Sequence, residues 1–289
     1  MKRLLVFIKI GAISLVMTAV PRAFAGVISQ QALQLTRQDQ TVLSASAYLP
    51  DSIDCRGIAI ISPGAGGSEN GYMYLGKAMA SLGYISVVIG HQESGRSALR
   101  SRLQNKGVSD GLAELITDPD VYRARFLDIT AAKSWAQNRC QSGEAILIGH
   151  SMGAATILME AGANNKLGVQ GKNSFDIYIA LSPQGVGWGF PENAWTGIRK
   201  PVLMLTGTRD TEFGGASWET RKEPFANMPP GCKWLGVVDG ATHLNFAGVG
   251  LSGNTEALTT KIISAFLESI HRQDCKAPEP LRGLNLSTK

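Results

Sequence analysis

The junction at residues 145–161 constrains this chain more than any other segment. Ala145-Ile146-Leu147-Ile148 is an unbroken apolar run of strand length, as expected of a strand buried on both faces. Gly149-His150-Ser151-Met152-Gly153 follows at once, and residues 152–161 read as a helix. A strand that becomes a helix through so tight a turn has no room for side chains two residues before and two after its centre. Gly149 and Gly153 meet that demand. The chain holds 33 glycines, so the five-residue pattern alone is weak, and its place between strand and helix is what gives it weight. Ser151 is then expected at a helix N-terminus, exposed above a sheet edge, as a nucleophile would be.

The rest of the chain repeats this strand-and-helix theme. Residues 28–36 and 41–49 carry β-formers and predict an antiparallel edge hairpin. Strands are expected at 57–62, 85–89, 145–149, 174–181, 201–206 and, last, 234–239. Helices are expected at 74–82, 122–138, 152–161 and 255–271. Such alternation predicts a mostly parallel, doubly wound sheet with helices on both faces. No internal repeat or linker divides it, so residues 26–289 are expected to form a single catalytic domain. Residues 92–121 are expected to be a long polar connection carrying Arg96, Arg100, Arg102 and Lys106, a candidate lid.

A serine hydroxyl needs a base, and the base needs an acid to orient it. His243 directly follows the last expected strand, at the carboxyl edge where open α/β sheets carry their sites. His91 also follows a strand on that edge and is a candidate for the pocket wall. His150 lies inside the turn and cannot fold back onto Ser151, and His271 ends a helix. Asp210, after the strand at 201–206, is the natural acid in the order Ser…Asp…His, with Glu212 and Asp239 as alternatives. An oxyanion needs two backbone N–H donors. Met152 supplies one candidate, and Ala65 in Ser62-Pro63-Gly64-Ala65-Gly66-Gly67-Ser68 the other.

Two phosphate motifs fail. Gly64-Ala65-Gly66 starts like a dinucleotide fingerprint, but its sixth position is Glu69. Gly71 to Lys77 matches most of a P-loop, but Ala78 replaces the metal-binding hydroxyl residue and the run opens a helix. No His/Cys cluster points to a metal, and acyl transfer of this kind needs no cofactor.

The N-terminus reads as a signal peptide at residues 1–25. Lys2 and Arg3 precede an apolar stretch that ends in Ala23-Phe24-Ala25. The leader holds four basic residues and no acid, so its removal takes the net charge from +5 to +1. That leaves no electrostatic case for nucleic acid or an anionic membrane as partner. No stable membrane anchor is expected after cleavage. Four cysteines in an exported chain, Cys55, Cys140, Cys232 and Cys275, favour disulfides.

These runs together resemble the α/β-hydrolase superfamily, over about residues 40–270. More narrowly, the chain is similar to the branch of dienelactone-hydrolase-like proteins, cutinase-like polyester hydrolases and platelet-activating-factor-acetylhydrolase-like enzymes. Leu82-Gly83-Tyr84-Ile85-Ser86-Val87-Val88, Ser182-Pro183-Gln184-Gly185 and Gly240-Ala241-Thr242-His243 add to the runs already named. The resemblance implies the α/β-hydrolase fold without a large cap domain. It implies a triad of Ser151, Asp210 and His243, with Ala65 and Met152 as oxyanion donors. It also implies the disulfides Cys55–Cys140 and Cys232–Cys275, at the amino end of the sheet. Two departures stand out. Dienelactone hydrolases proper use a cysteine nucleophile, and polyester hydrolases of this type often carry an aromatic residue where this chain has Ala65. Trp188 is a candidate to line the pocket instead.

The expected activity is hydrolysis of carboxylic esters by an exported serine hydrolase. The substrate is expected to be a small-molecule or lipid-like ester, or a polyester. An amidase or peptidase with the same triad, or a catalytically silent binding protein on this fold, are the alternatives.

Overall fold

The computed structural model describes residues 28–51, 55–141, 143–212 and 214–289. The expected signal peptide at residues 1–25 lies outside them. The strands are β1 Ser29–Thr36, β2 Val42–Leu49, β3 Gly57–Ser62, β4 Tyr84–Ile89, β5 Glu144–His150, β6 Ile177–Leu181, β7 Val202–Arg209, β8 Lys233–Thr242 and β9 Leu284–Thr288. The helices are α1 Met73–Ser81, α2 Arg96–Lys106, α3 Val108–Thr117, α4 Pro119–Gln137, α5 Met152–Glu160, α6 Glu223–Asn227 and α7 Gly253–His271. A 3₁₀ turn spans Trp218–Lys222 and another spans His243–Ala247.

The strands form one sheet in the order β1-β2-β4-β3-β5-β6-β7-β8-β9. From β4 through β8 all neighbours are parallel, while β1, β2 and β9 run antiparallel at the edges. The central strands β3, β4 and β6 are buried along their whole length, which is why they read as continuous apolar runs. One face of the sheet packs against α4 and α5 through Tyr122, Ile129, Ile157 and Leu158. The other packs against α1 and α7 through Leu75, Met79, Ile262 and Phe266. Chain order reverses around β3, which pairs with both β4 and β5. The loops after β3 and β5 leave that point in different directions and open a crevice at the carboxyl edge. Ser62 pairs with Gly149 there, so the Gly-rich loop and the serine turn start side by side. No large cap domain covers this edge among the described residues.

The structure corrects three expectations. Residues 92–121 hold two helices, α2 and α3, joined at Gly107, and the start of α4. Nothing on α2 is buried, so it carries no apolar periodicity to read; Arg102 to Asp118 (2.7 Å) and Lys106 to Glu114 (3.2 Å) tie the pair together. The strand at 234–239 is not the last, because β9 pairs antiparallel with β8. β9 is five residues long with no buried position, a pattern too short and polar to stand out. The strand expected from residue 174 starts at Ile177, because Asp176 turns its carboxylate onto the Ala145 N–H at 2.8 Å.

The cysteines form Cys55–Cys140 and Cys232–Cys275, the pairing the resemblance implies. Cys55 and Cys140 precede β3 and β5, far from the carboxyl edge. Among the described residues, no helix is long and apolar enough to cross a membrane. Cys55–Cys140 closes a loop of 85 residues and so removes much freedom from the unfolded chain. Serine at both positions is expected to lower the unfolding free energy by about 2–4 kcal/mol in denaturant titration. A loss well under about 1 kcal/mol would contradict that role.

Candidate active site

Ser151 joins β5 to α5 with φ 55° and ψ −119°, a conformation that costs a non-glycine residue energy. Its neighbours show what holds it there. A Cβ on Gly149 would lie 2.2 Å from the Gly153 carbonyl oxygen, and one on Gly153 would lie 1.9 Å from that of Ser62. The turn therefore closes against itself and against the end of β3 only because both positions lack side chains. The Ser151 N–H is fixed by the Leu181 carbonyl at 2.9 Å. Among the described residues, Ser151 Oγ has no hydrogen-bond partner, and it opens onto a cavity of about 280 Å³.

His243 lies on the same cavity, in the first turn after β8. Its Nδ1 is 2.8 Å from Asp210 Oδ1. A carboxylate only accepts, so Nδ1 carries the proton and Nε2 is left as an acceptor. Asp210 is fully buried, and its other oxygen accepts from Thr206 Oγ1 at 2.9 Å. Of the alternative acids, Glu212 accepts from the Gly185 N–H and Thr220 Oγ1, and Asp239 pairs with Thr208 Oγ1. Neither contacts His243. The structure thus gathers Ser151, His243 and Asp210 on one edge, each at the end of its own strand.

Ala65 lines the cavity beside Ser151, and a Cβ on Gly64 would sit 3.1 Å from that of Ser151. The Gly66 N–H donates to the Ser94 carbonyl and the Gly67 N–H to that of Gly64. The Ala65 N–H makes no such bond among the described residues, nor does that of Met152, which opens α5. Two amides without partners therefore flank the serine.

Several contacts here have no signal in the sequence. Arg221, in the 3₁₀ turn Trp218–Lys222, is buried. Its Nε lies 3.0 Å from Asp210 Oδ1 and donates to the Asp210 carbonyl, while Nη1 bridges the Ser182 and Pro183 carbonyls. Nη2 donates to the Thr211 carbonyl and lies 3.2 Å from His243 Nδ1. The acid loop is thereby pinned by one guanidinium. His150 has a similar task. Its Nε2 donates to the His243 carbonyl at 3.0 Å, so its Nδ1 accepts from Tyr72 Oη at 2.8 Å; Tyr72 Oη accepts in turn from the Gly64 N–H. His150 ties the backbone of His243 to the Gly-rich loop.

The cavity walls are Leu112 and Ile116 of α3, with Ala65 and Trp188; Gln184, Glu212 and Arg221 add polar groups. Trp188 lines this cavity. His91 does not: it is buried beneath the Gly-rich loop, with Nε2 at 2.9 Å from Ser62 Oγ and Nδ1 at 2.8 Å from Asp128 Oδ2. It is drawn away from the pocket by that buried carboxylate. Leu112 and Ile116 were legible only as an i, i+4 apolar pair in a polar stretch.

No protein-family model matches the chain. Cutinase 1 of Thermobifida cellulosilytica is 27% identical over 198 residues, which cover 68% of this chain and 63% of that protein. A cutinase of Thermobifida fusca is also 27% identical, over 68% of this chain and 55% of its own. The chain thus matches somewhat over half the length of these relatives. Among solved structures, the dienelactone hydrolase of Anabaena variabilis superposes with a TM-score of 0.59 at 15% identity, covering 84% of this chain and 98% of the other. A CIB-like hydrolase of Thermoplasma acidophilum gives 0.51 at 16%, covering 83% and 100%. The fold is the α/β-hydrolase fold.

The buried histidines give the site a pH signature. Burial, with His243 and Arg221 nearby, holds His150 well below its usual 6.5. Burial and Arg125 do the same to His91, while burial pushes the Asp128 carboxyl up to about 7. Just below about pH 6.5 the His91–Asp128 pair holds one proton when folded, on Asp128, and one when unfolded, on His91. Its contribution to stability is flat there. His150 has no such compensation: it is neutral when folded and protonated when unfolded. The stability it confers is present above about 6.5 and lost as the pH falls, by about 1.4 kcal/mol per pH unit. Denaturant titrations at pH 7.5, 6 and 5 are expected to show this slope, and His150→Gln to flatten it. An equal slope in the variant would contradict the assignment.

Proposed function

We propose that this protein is an exported serine hydrolase that cleaves carboxylic esters. One observation carries the reading: an unpartnered Ser151 hydroxyl and His243, backed by Asp210, open onto one cavity, and the free amides of Ala65 and Met152 flank the serine. Hydrolases among the similar proteins support it, cutinases by sequence and a dienelactone hydrolase by fold. Two disulfides suit an oxidising compartment, which supports export.

His243 Nε2 takes the Ser151 proton as Oγ bonds to the substrate carbonyl carbon. The oxygen becomes an anion between the Ala65 and Met152 N–H groups. Asp210, held by Thr206 and Arg221, keeps the imidazolium oriented and stays ionised. Collapse breaks the ester C–O bond, and the alcohol leaves with the proton from His243. Water then attacks the acyl-enzyme, gives a proton to His243, and releases the acid as Ser151 regains its proton. The hydroxyl of Ser151 must swing to His243 in the complex, since catalytic hydrogen bonds often tighten only with substrate bound.

A cavity of about 280 Å³ with apolar walls suits an acyl or alkyl group of modest size. The α3 wall of Leu112 and Ile116 narrows it, and favours small or lipid-like esters over a polymer chain lying across the edge.

A fluorophosphonate probe is expected to label Ser151, seen by peptide mass spectrometry, and Ser151→Ala to abolish both labelling and turnover of p-nitrophenyl butyrate. Asp210→Asn is expected to lower kcat by about four orders of magnitude. A Ser151→Ala variant that still turned the ester over would overturn the reading. Leu112→Ala with Ile116→Ala is expected to raise kcat/KM for dodecanoate relative to butyrate by about tenfold, given the value of a few methylenes in an apolar pocket. An unchanged ratio in a p-nitrophenyl ester panel would show that α3 does not set chain length.

A further inference from the structure

Beneath the site lies a buried guanidinium that the mechanism above does not use. Arg125 of α4 has no exposed surface. Its Nε donates to Thr156 Oγ1 at 2.9 Å, Nη1 to Ser94 Oγ at 2.6 Å, and Nη2 to Ser62 Oγ at 2.8 Å and to the Pro63 carbonyl. All four acceptors are uncharged, and among the described residues Arg125 forms no salt bridge. Taking a cation out of water without a carboxylate in contact is costly. Burial does pull Arg125 down, to about 10, but leaves it protonated at neutral pH. The position therefore calls for something a neutral side chain cannot supply.

Three of the four acceptors share one property. Pro63 lies two residues before Ala65, at the entry to the Gly-rich loop. Ser94 holds the other end, since its carbonyl accepts the Gly66 N–H at 2.8 Å. Thr156 lies on α5, and its Oγ1 donates to the Met152 carbonyl at 2.8 Å. The Pro63–Gly64 and Ala65–Gly66 peptide units, and the first turn behind Met152, are thus tied to a single planar fork. We propose that Arg125 is a positioning residue that sets the spacing between the two oxyanion donors, Ala65 N and Met152 N. This inference rests on the hydrolase reading. Arginine suits the task because its donors leave one rigid plane in fixed directions and reach three separate elements at once. Lysine offers a single point charge on a flexible stem and cannot hold them in register.

The test is steady-state kinetics with p-nitrophenyl butyrate on Arg125→Lys, Thr156→Val and Ser94→Ala, beside the wild type. The last two each cut one link and leave the guanidinium in place, so they decide the matter even if Arg125→Lys does not fold. Misplacing one donor acts on the transition state, so kcat is expected to fall about 10²-fold in Arg125→Lys and about tenfold in Thr156→Val. KM should stay within about twofold. The rate of phosphonate labelling should fall in step with kcat, because the tetrahedral adduct needs the same two amides. The kcat–pH profile should keep its midpoint, since His243 and Asp210 are untouched. Folded variants with lower melting temperatures but unchanged kcat would overturn the proposal, and so would a rise in KM at constant kcat. A shifted pH midpoint would also overturn it, by placing the effect on His243. A wild type not labelled at Ser151 would sink the hydrolase reading and the proposal together, which separates that failure from the others.

Discussion

The site depends on a backbone conformation that Ser151 would not adopt alone. With φ at 55°, the residue sits where side chains are disfavoured, and neighbouring structure must hold it there. That hold comes from β5, whose register with β3 and β6 fixes where the turn begins, and from two glycines that let the turn close against the end of β3. Every other part of the site takes its position from this point. The Gly-rich loop after β3 lies beside Ser151 because Ser62 pairs with Gly149. Asp210 and His243 follow from β7 and β8, carried to the same edge by parallel pairing.

Holding these loops together demands polar contacts inside the protein, where a lone polar group is expensive. Three buried groups answer that demand in separate places. Arg221 binds the acid loop, His150 links the base to the Gly-rich loop, and Arg125 lies under that loop and α5. Each satisfies backbone carbonyls or hydroxyls that would otherwise be stranded. The disulfides sit elsewhere: Cys55 and Cys140 lie before β3 and β5, at the amino edge of the sheet.

Much of this was legible in the sequence, for a physical reason. Strands buried on both faces leave continuous apolar runs, and the residues just after such runs fall on the carboxyl edge. Ser151, Asp210 and His243 each follow one, so their order and placement could be read. Arg221 and Arg125 could not. Their contacts cross 39 and 63 residues of chain and end largely on backbone carbonyls and common hydroxyls, which leave no pattern. The lid-like segment failed differently. α2 has no fully buried residue, and its ion pairs leave no apolar stripe to mark the helix. His91 stood on the correct edge, but its partner Asp128 comes from α4, and no strand pattern reports which way a side chain there will turn.

The most direct measurement is a crystal structure of the protein after reaction with a p-nitrophenyl phosphonate, whose adduct copies the tetrahedral intermediate. The expected result is phosphorus bonded to Ser151 Oγ, with its phosphoryl oxygen about 2.7–3.1 Å from both the Ala65 and Met152 nitrogens. His243 Nε2 should face the remaining ester oxygen. Phosphorus on another residue, or a phosphoryl oxygen turned to solvent with both amides empty, would contradict the site described here.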